Sequence, residues 1–167
     1  MQEKSGHWVK EPEKDTSSEP RTTSFSEPEG IVVERWGNRG VLELVRSDRF
    51  IVLEEGAILF KEGDPADCMY IVKSGTLRIR SGSIVYEDAI EGGIVGEMAI
   101  VEDAGATRTA MVYAVTRSEL VKIDERRFFS LVAETPSFAR TVMRVLSRRL
   151  RRMDKLYQPD RWTERSP

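Results

Sequence analysis

Short apolar segments, many of them β-branched, fill the middle of the chain between residues 49 and 124. The runs 69–72, 76–79 and 119–123 are examples, and eight of the twelve glycines in the 167-residue chain fall in this region. Glycine supplies the positive φ angles that tight turns require. Many short strands separated by turns are typical of sandwiches, jelly rolls and barrels. The pattern therefore predicts a domain built on seven or eight short strands.

Helical periodicity replaces the strand pattern on both sides of this region. Asp124 is a candidate N-cap for a helix over residues 125–134. Pro136 suits the first turn of a longer helix that reaches about residue 157, and the apolar residues of that helix form one stripe. A shorter helix is predicted within residues 38–47. The predicted order of elements is therefore a helix, the strands, and two helices.

Both ends of the chain are predicted to lie outside the folded domain. Residues 1–30 contain three prolines, eight Ser or Thr, and only four large apolar side chains. Such a segment cannot bury enough surface to offset the entropy lost on ordering, so a disordered polar tail is predicted. Residues 31–157 form the predicted domain, and residues 158–167 form a C-terminal tail.

Cysteine and histidine are too scarce for several kinds of active site. Cys68 is the only cysteine, and His7, the only histidine, lies in the polar N-terminal tail. This excludes a disulfide framework and a multi-thiolate metal site, and it argues against histidine-based triads. No segment approaches the roughly 20 apolar residues that cross a bilayer, and residues 1–10 lack the apolar core of a signal peptide. A cytoplasmic binding protein, without a metal site or membrane span, is favoured over an enzyme.

The net charge of −2 conceals an uneven distribution of charge. Residues 31–135 have a net charge of −5, whereas residues 136–157 carry seven basic side chains and one acidic side chain. Three explanations remain open: a partner of opposite charge, packing of the basic helix on an acidic face, or a solvated helix face.

One segment carries the residues expected of an anion site. A glycine-rich turn ending at Gly96 leads into Glu97 and a short apolar stretch, and Arg108 follows eleven residues after Glu97. Exposed amides at such a turn and an arginine fork both bind phosphate. Because a carboxylate repels a phosphate, Glu97 is expected to have a different role, such as accepting hydrogen bonds from ribose. The combination indicates a receptor for a phosphorylated ribose, and the competing explanation is a salt bridge between Glu97 and Arg108.

At this point the sequence resembles the cyclic nucleotide-binding domains of the bacterial cAMP receptor protein, of cAMP- and cGMP-dependent kinases and of cyclic-nucleotide-gated channels. The resemblance covers roughly residues 49–155 and rests on motifs in order: 56–64, 69–75, 96–99, 108–114 and 120–124. It implies an α+β, mainly β fold: a jelly-roll-like double-stranded β-helix, or β-roll, with a short N-terminal helix and two C-terminal helices.

The resemblance also implies which residues bind the ligand. Glu97 would accept the ribose 2′-hydroxyl, Arg108 would pair with the cyclic phosphate, and backbone amides around Gly96, Met98 and Ala99 would complete the phosphate cradle. Thr109 would touch the phosphate or a guanine amino group, although strand propensity also explains a threonine there. The loop 102–107 departs from the family pattern, since Thr107 stands where the family often has proline.

The resemblance of the last helix to that of the bacterial receptor bears on the choice of base. It places Met153 and Asp154 where the family contacts the base. Asp154 would favour guanine if its side chain faces the purine. If it faces solvent, it would have no effect on the choice of base. The likeness of the helix favours cAMP over cGMP.

The predicted function is a stand-alone cyclic nucleotide sensor, not an enzyme and without a cofactor. Movement of the C-terminal helix would signal to an unidentified downstream protein or to a homodimer formed through that helix. Because no helix-turn-helix follows the domain in this chain, no sequence-specific DNA binding is expected. The alternatives are a nucleotide-independent module whose Arg-rich helix binds nucleic acid or anionic lipid, and a jelly-roll enzyme of cupin type.

Overall fold

The structure, a computed structural model, describes residues 34–46, 48–102 and 105–157. Its elements in chain order are β1 (Arg35–Trp36), α1 (Gly40–Leu44), β2 (Phe50–Leu53), β3 (Ile58–Phe60), β4 (Cys68–Ser74), β5 (Leu77–Ser81), β6 (Ile84–Ala89), β7 (Ile94–Val95), α2 (Met98–Val101), β8 (Met111–Ala114), β9 (Ser118–Asp124), α3 (Glu125–Glu134) and α4 (Pro136–Tyr157). The predicted disordered tail at residues 1–30 and the predicted C-terminal tail lie outside the described residues.

The strands form two sheets that face each other. One has five strands in the order β1-β6-β5-β8-β3, and the other has four in the order β2-β9-β4-β7. All strand pairs are antiparallel except β1 with β6. Together with the helices, this confirms the predicted mainly β fold. The pattern predicts seven or eight strands, and the described residues form nine. The two shortest, β1 and β7, have only two residues each, too few to show a period.

The sheet that contains β4 separates two cores. Alternate side chains of a strand point to opposite faces, so Ile71 packs with the helices while Val72 packs between the two sheets. On the helical side, Leu131 of α3 and Phe138 of α4 are buried against the sheet. The ring of Phe138 lies 5.7 Å from that of Phe128, centroid to centroid. These contacts hold both C-terminal helices on the β-roll.

Local signals in the sequence explain where the helices begin. The side chain of Asp124 accepts a hydrogen bond from the backbone N–H of Arg127 at 2.8 Å, as an N-cap does. Pro136 opens α4, where a missing N–H costs nothing. None of the helices in the described residues is long and apolar enough to cross a membrane.

The basic helix packs on acidic parts of the β-roll. Arg148 of α4 pairs with Glu87 of β6 at 2.7 Å, and Arg152 pairs with Glu34 at 2.9 Å. The Arg148 guanidinium also lies over the ring of Trp36, 4.7 Å from its centroid. Packing of the helix on an acidic face, one of the three explanations for the charge asymmetry, therefore accounts for part of it.

Candidate functional site

A cavity of about 540 Å³ lies between the β-roll, α2 and α4. Its walls bring together most of the residues that the sequence analysis selects: Gly96, Glu97, Met98, Ala99, Arg108, Thr109 and Met153. The helix α4 closes one side through Leu146, Leu150 and Met153. Asp154 is exposed and is not part of the lining, so α4 turns its carboxylate away from the cavity.

Arg108 presents a buried positive charge without a carboxylate. The side chain is held by the backbone, since Nη1 donates to the carbonyl oxygen of Cys68 at 2.7 Å and to that of Gly96 at 3.3 Å. Its guanidinium stacks on Phe60, 4.2 Å from the ring centroid. Arg108 is 6% exposed, its Nε has no hydrogen-bond partner, and no described Asp or Glu forms a salt bridge with it. Burying a cation without an anionic partner costs free energy, and a bound anion would remove that cost.

Tyr70, a neighbour of Arg108, is partly buried. Burial raises the pKa of Tyr70, and contacts with the Cys68 thiol act in the same direction. Arg108 lies over the Tyr70 ring at 6.0 Å, which opposes the rise without cancelling it. Tyr70 is therefore a neutral phenol at physiological pH and supplies no negative charge to Arg108.

Gly96 lets the backbone approach the arginine. Its φ angle is +74°, and a Cβ atom at this position would lie 2.5 Å from Nη1 of Arg108. A larger residue would therefore be strained in its backbone and would also collide with the guanidinium. The glycine-rich turn thus serves to place a carbonyl oxygen beside Arg108.

Glu97 lies directly before α2 and has one free oxygen. The side chain is 2% exposed, and its Oε1 pairs with Nη1 of Arg149 at 2.5 Å. Its Oε2 is buried and has no hydrogen-bond partner in the part of the chain that is described. The competing explanation for Glu97 and Arg108, a salt bridge between them, is not what the structure contains, because Glu97 pairs with α4 instead.

Arg149 is the site residue that the sequence analysis missed. Burial opposes its charge, but the carboxylates of Glu97 and Glu87 outweigh burial and raise its pKa above the usual value. Both carboxylates therefore keep it fully protonated. A signal was available in the sequence: Arg149 follows Val142 and Val145 at seven and four residues, which places an arginine on the buried face of the helix.

The β-roll and the helix after it match the model of a known family. The family model of the cyclic nucleotide-binding domain matches residues 50–135, from β2 to the residue after α3. The chain belongs to this family. The resemblance seen in the sequence is confirmed, and ligand binding is the property that gives the family its name.

Relatives of this cyclic nucleotide-binding domain occur within much larger proteins. A lysophospholipase of Neurospora crassa is 28% identical over 107 residues, which cover 61% of this chain but 7% of that protein. A similar lysophospholipase of Aspergillus oryzae is 28% identical over 120 residues, 69% of this chain and 8% of that protein. This chain therefore spans less than a tenth of either relative.

Solved structures with the same fold include two bacterial regulators. The catabolite activator protein of Thermus thermophilus superposes with a TM-score of 0.61 at 24% identity, over 71% of this chain and 57% of that one. A c-di-GMP-responsive global regulator of Xanthomonas campestris superposes with a TM-score of 0.62 at 24% identity, over 72% and 64% of the two chains. At this identity the likeness concerns the fold.

Thr109 and Ala99 are two further residues of the cavity lining. Thr109 is exposed, and its hydroxyl contacts the sulfur of Met98 at 3.5 Å. The backbone N–H of Ala99 donates to the carbonyl oxygen of Gly96 at 3.2 Å, which forms the turn into α2.

Within the described ranges, no group of three or more His, Cys, Asp or Glu side chains is arranged to hold a metal ion.

Replacing Gly96 by alanine is expected to damage this site more than an equivalent change elsewhere in the domain. Gly56→Ala is the matched control, because Gly56 has a φ angle of +77° and nothing within 4 Å of its Cβ position. Both variants should lose about 1 kcal/mol of stability from backbone strain, but only Gly96→Ala should displace Arg108 and weaken ligand binding at least tenfold. Thermal denaturation and titration calorimetry measure the two effects, and equal binding losses in both variants would contradict this role of Gly96.

Proposed function

We propose that this domain is a cyclic nucleotide sensor that binds its ligand in the cavity beside α4. The observation that carries the proposal is that one cavity is lined by both Arg108, a buried cation without a carboxylate partner, and Glu97, whose buried Oε2 has no hydrogen-bond partner among the described residues. A cyclic nucleotide offers one negative phosphate and one free ribose hydroxyl. Arg108 would pair with the phosphate and Glu97 would accept the 2′-hydroxyl.

Further contacts follow from the lining of the cavity. Gly96, Met98, Ala99 and Thr109 would surround the phosphate. Backbone amides of this segment would be donors, apart from that of Ala99, which donates to Gly96. The base lies against apolar side chains of α4, among them Met153. Because Asp154 is exposed, its carboxylate supplies no argument for guanine. We therefore retain cAMP over cGMP, on the resemblance of α4 to the helix of the bacterial receptor.

The proposed mechanism is movement of α4, without catalysis and without a cofactor. Because α4 forms one wall of the cavity, a bound nucleotide contacts it directly and favours one position of the helix over another. Coupling free energies of about 1–3 kcal/mol are typical of such switches. The proposal includes a cytoplasmic location and an unidentified protein that responds to the helix.

The exposed face of α4 supports a homodimer as one output. Met143, Leu150 and Met153 are large, apolar and exposed, and their spacings of seven and three residues match a coiled-coil seam. A second copy of α4 would cover this seam. Sedimentation of wild type and of Met143→Glu, a seam residue outside the cavity lining, with and without cAMP, should show a dimer that the substitution dissociates. A monomer at all concentrations would contradict this part of the proposal.

The alternative of a basic helix that binds nucleic acid or lipid is less well supported. Arg148, Arg149 and Arg152 are engaged with carboxylates of the β-roll, which reduces the charge available to a polyanion.

Titration calorimetry with cAMP, cGMP and 5′-AMP tests the proposed function. We expect binding of cAMP, weaker binding of cGMP, and little heat with 5′-AMP, whose open phosphate does not have the cyclic geometry. A ligand at 100 times its Kd should also stabilise the fold by about 2.7 kcal/mol. Absence of heat and of thermal stabilisation with both cyclic nucleotides would refute the proposal.

A further inference from the structure

Strand β2 lies at the edge of the four-stranded sheet and exposes apolar side chains along most of its length. It pairs with β9 on one side, and no strand of the described residues pairs with its other side. Three consecutive residues, Phe50, Ile51 and Val52, are 46%, 43% and 42% exposed. A strand edge presents unpaired N–H and C=O groups, so an exposed apolar edge is a template for pairing with another strand.

The other edge strands of the described structure differ from β2. β1 and β7 have two residues each, and both residues of β7 are buried. β3 has three residues, none of them exposed. Short or covered edges do not offer a ladder to a second chain. Among the described strands, β2 is therefore the edge that is both open and apolar.

The charges at the two ends of β2 have opposite sign. Arg49 precedes the strand, whereas Glu54 and Glu55 follow it, and all three residues are exposed. Glu54 pairs with Arg117 on the surface at 3.3 Å. Within the described residues, neither Arg49 nor Glu55 forms an ion pair. One end of the edge is therefore basic and the other acidic, and each end has a charge available to a partner.

A two-fold axis through the strand would match these ends to each other. When two copies of one strand pair antiparallel, one residue lies opposite itself, and residues at equal distances on either side of it lie opposite each other. With Val52 on the axis, Ile51 lies opposite Leu53 of the second copy, and Arg49 lies opposite Glu55. Apolar residues then meet at the centre, and opposite charges meet at both ends.

The remaining pair in this register is Phe50 with Glu54. Nζ of Lys73 lies over the Phe50 ring, 3.8 Å from its centroid. The Lys73 side chain pairs with Glu119 at 3.1 Å and is still 42% exposed. Glu54 of the second copy would therefore approach a cation at Phe50, which favours the same register.

We propose that β2 is a docking edge for a second copy of this chain, paired antiparallel across a two-fold axis at Val52. The two four-stranded sheets then continue into one sheet of eight strands. This surface lies on a different element from the apolar seam of α4, and its pairing needs no nucleotide. A four-residue strand pair is a small interface, so a weak, concentration-dependent dimer is expected.

Disulfide formation by Val52→Cys tests the register, in a Met143→Glu background that removes the α4 seam. Residues opposite each other in an antiparallel pair have Cα atoms about 4.5–5.5 Å apart, within the range of a disulfide. Air oxidation with a copper catalyst should therefore give a covalent dimer. Cys68 is 1% exposed and does not compete. Val101→Cys is the control, because Val101 is 55% exposed on α2, and it should stay largely monomeric.

A charge swap tests the two ends of the strand in the same Met143→Glu background. Sedimentation over a range of concentrations measures the dimer Kd. Arg49→Glu and Glu55→Arg should each raise it at least about fivefold, because each places like charges opposite each other at both ends. The double variant should return to within about twofold of the parent, since the opposite charges are restored. Arg126→Glu, at an exposed arginine of α3, is the control and should leave the Kd unchanged.

The outcomes bear on this surface alone. A monomer at all concentrations in the Met143→Glu background, or equal cross-linking at positions 52 and 101, would overturn the proposal. A dimer that neither single charge reversal weakens would overturn it as well. The proposed nucleotide site is tested separately by titration calorimetry, so failure of one proposal is distinguishable from failure of the other.

Discussion

Arg108→Ala is expected to weaken cyclic nucleotide binding by several kcal/mol, a loss of at least about 100-fold in affinity. Among the described residues, Arg108 is the buried cation that lines the cavity without a carboxylate partner, so in the variant the cyclic phosphate would enter a partly buried site with no opposite charge. Titration calorimetry with cAMP measures the loss.

The stability of the ligand-free Arg108→Ala protein should change much less than its affinity. Arg108 has backbone and ring contacts, but its charge is uncompensated, so removing it also removes a desolvation cost. Arg117→Ala is the control, because Arg117 is exposed and pairs with Glu54 on the surface at 3.3 Å. An Arg108→Ala protein with near-normal affinity would mean that the phosphate binds elsewhere.

Phe138→Ala is expected to lower the free energy of unfolding by about 3–5 kcal/mol, the usual cost of truncating a buried phenylalanine. Phe138 is 1% exposed and is the largest fully buried side chain in the described part of the protein, in the core between α4 and the β-roll. Its loss leaves a cavity at the point where α4 begins. Chemical denaturation followed by circular dichroism gives the change.

Phe129→Ala provides the comparison for Phe138. Phe129 is the same residue type on the neighbouring helix, but it is 56% exposed. Its truncation should cost less than about 1 kcal/mol, since little apolar surface leaves the core. Equal losses in the two variants would show that α4 is not held by the packing seen around Phe138.

Local patterns were sufficient to predict most elements of the fold. The N-cap at Asp124 and the first-turn position of Pro136 depend on a few neighbouring residues, and the structure has both. The seven longer strands were visible because each has at least three residues, with at least one β-branched or aromatic side chain, between turns. The two-residue strands β1 and β7 gave no such pattern, and their pairing is formed only by tertiary contact.

The candidate site was predicted in part. Glu97 and Arg108 were selected from a glycine-rich turn and a plausible phosphate geometry, and the structure brings both to one cavity. Their relation to α4 was not predicted. Met153 and Asp154 were both candidate base contacts because of their place in the helix, and the rotation of α4 puts Met153 at the cavity and leaves Asp154 exposed.

The sequence by itself determined the β-roll, the two C-terminal helices and the family, because period, turn chemistry and ordered motifs are properties of neighbouring residues. Only the tertiary structure decided that Arg149 and Glu87, 62 residues apart, form one network with Glu97. The physical reason is that an ion pair between a helix and a sheet depends on how the helix is rotated and where it docks. That docking is set by the packing of Phe138 and its neighbours in the core, not by the spacing of the charges along the chain.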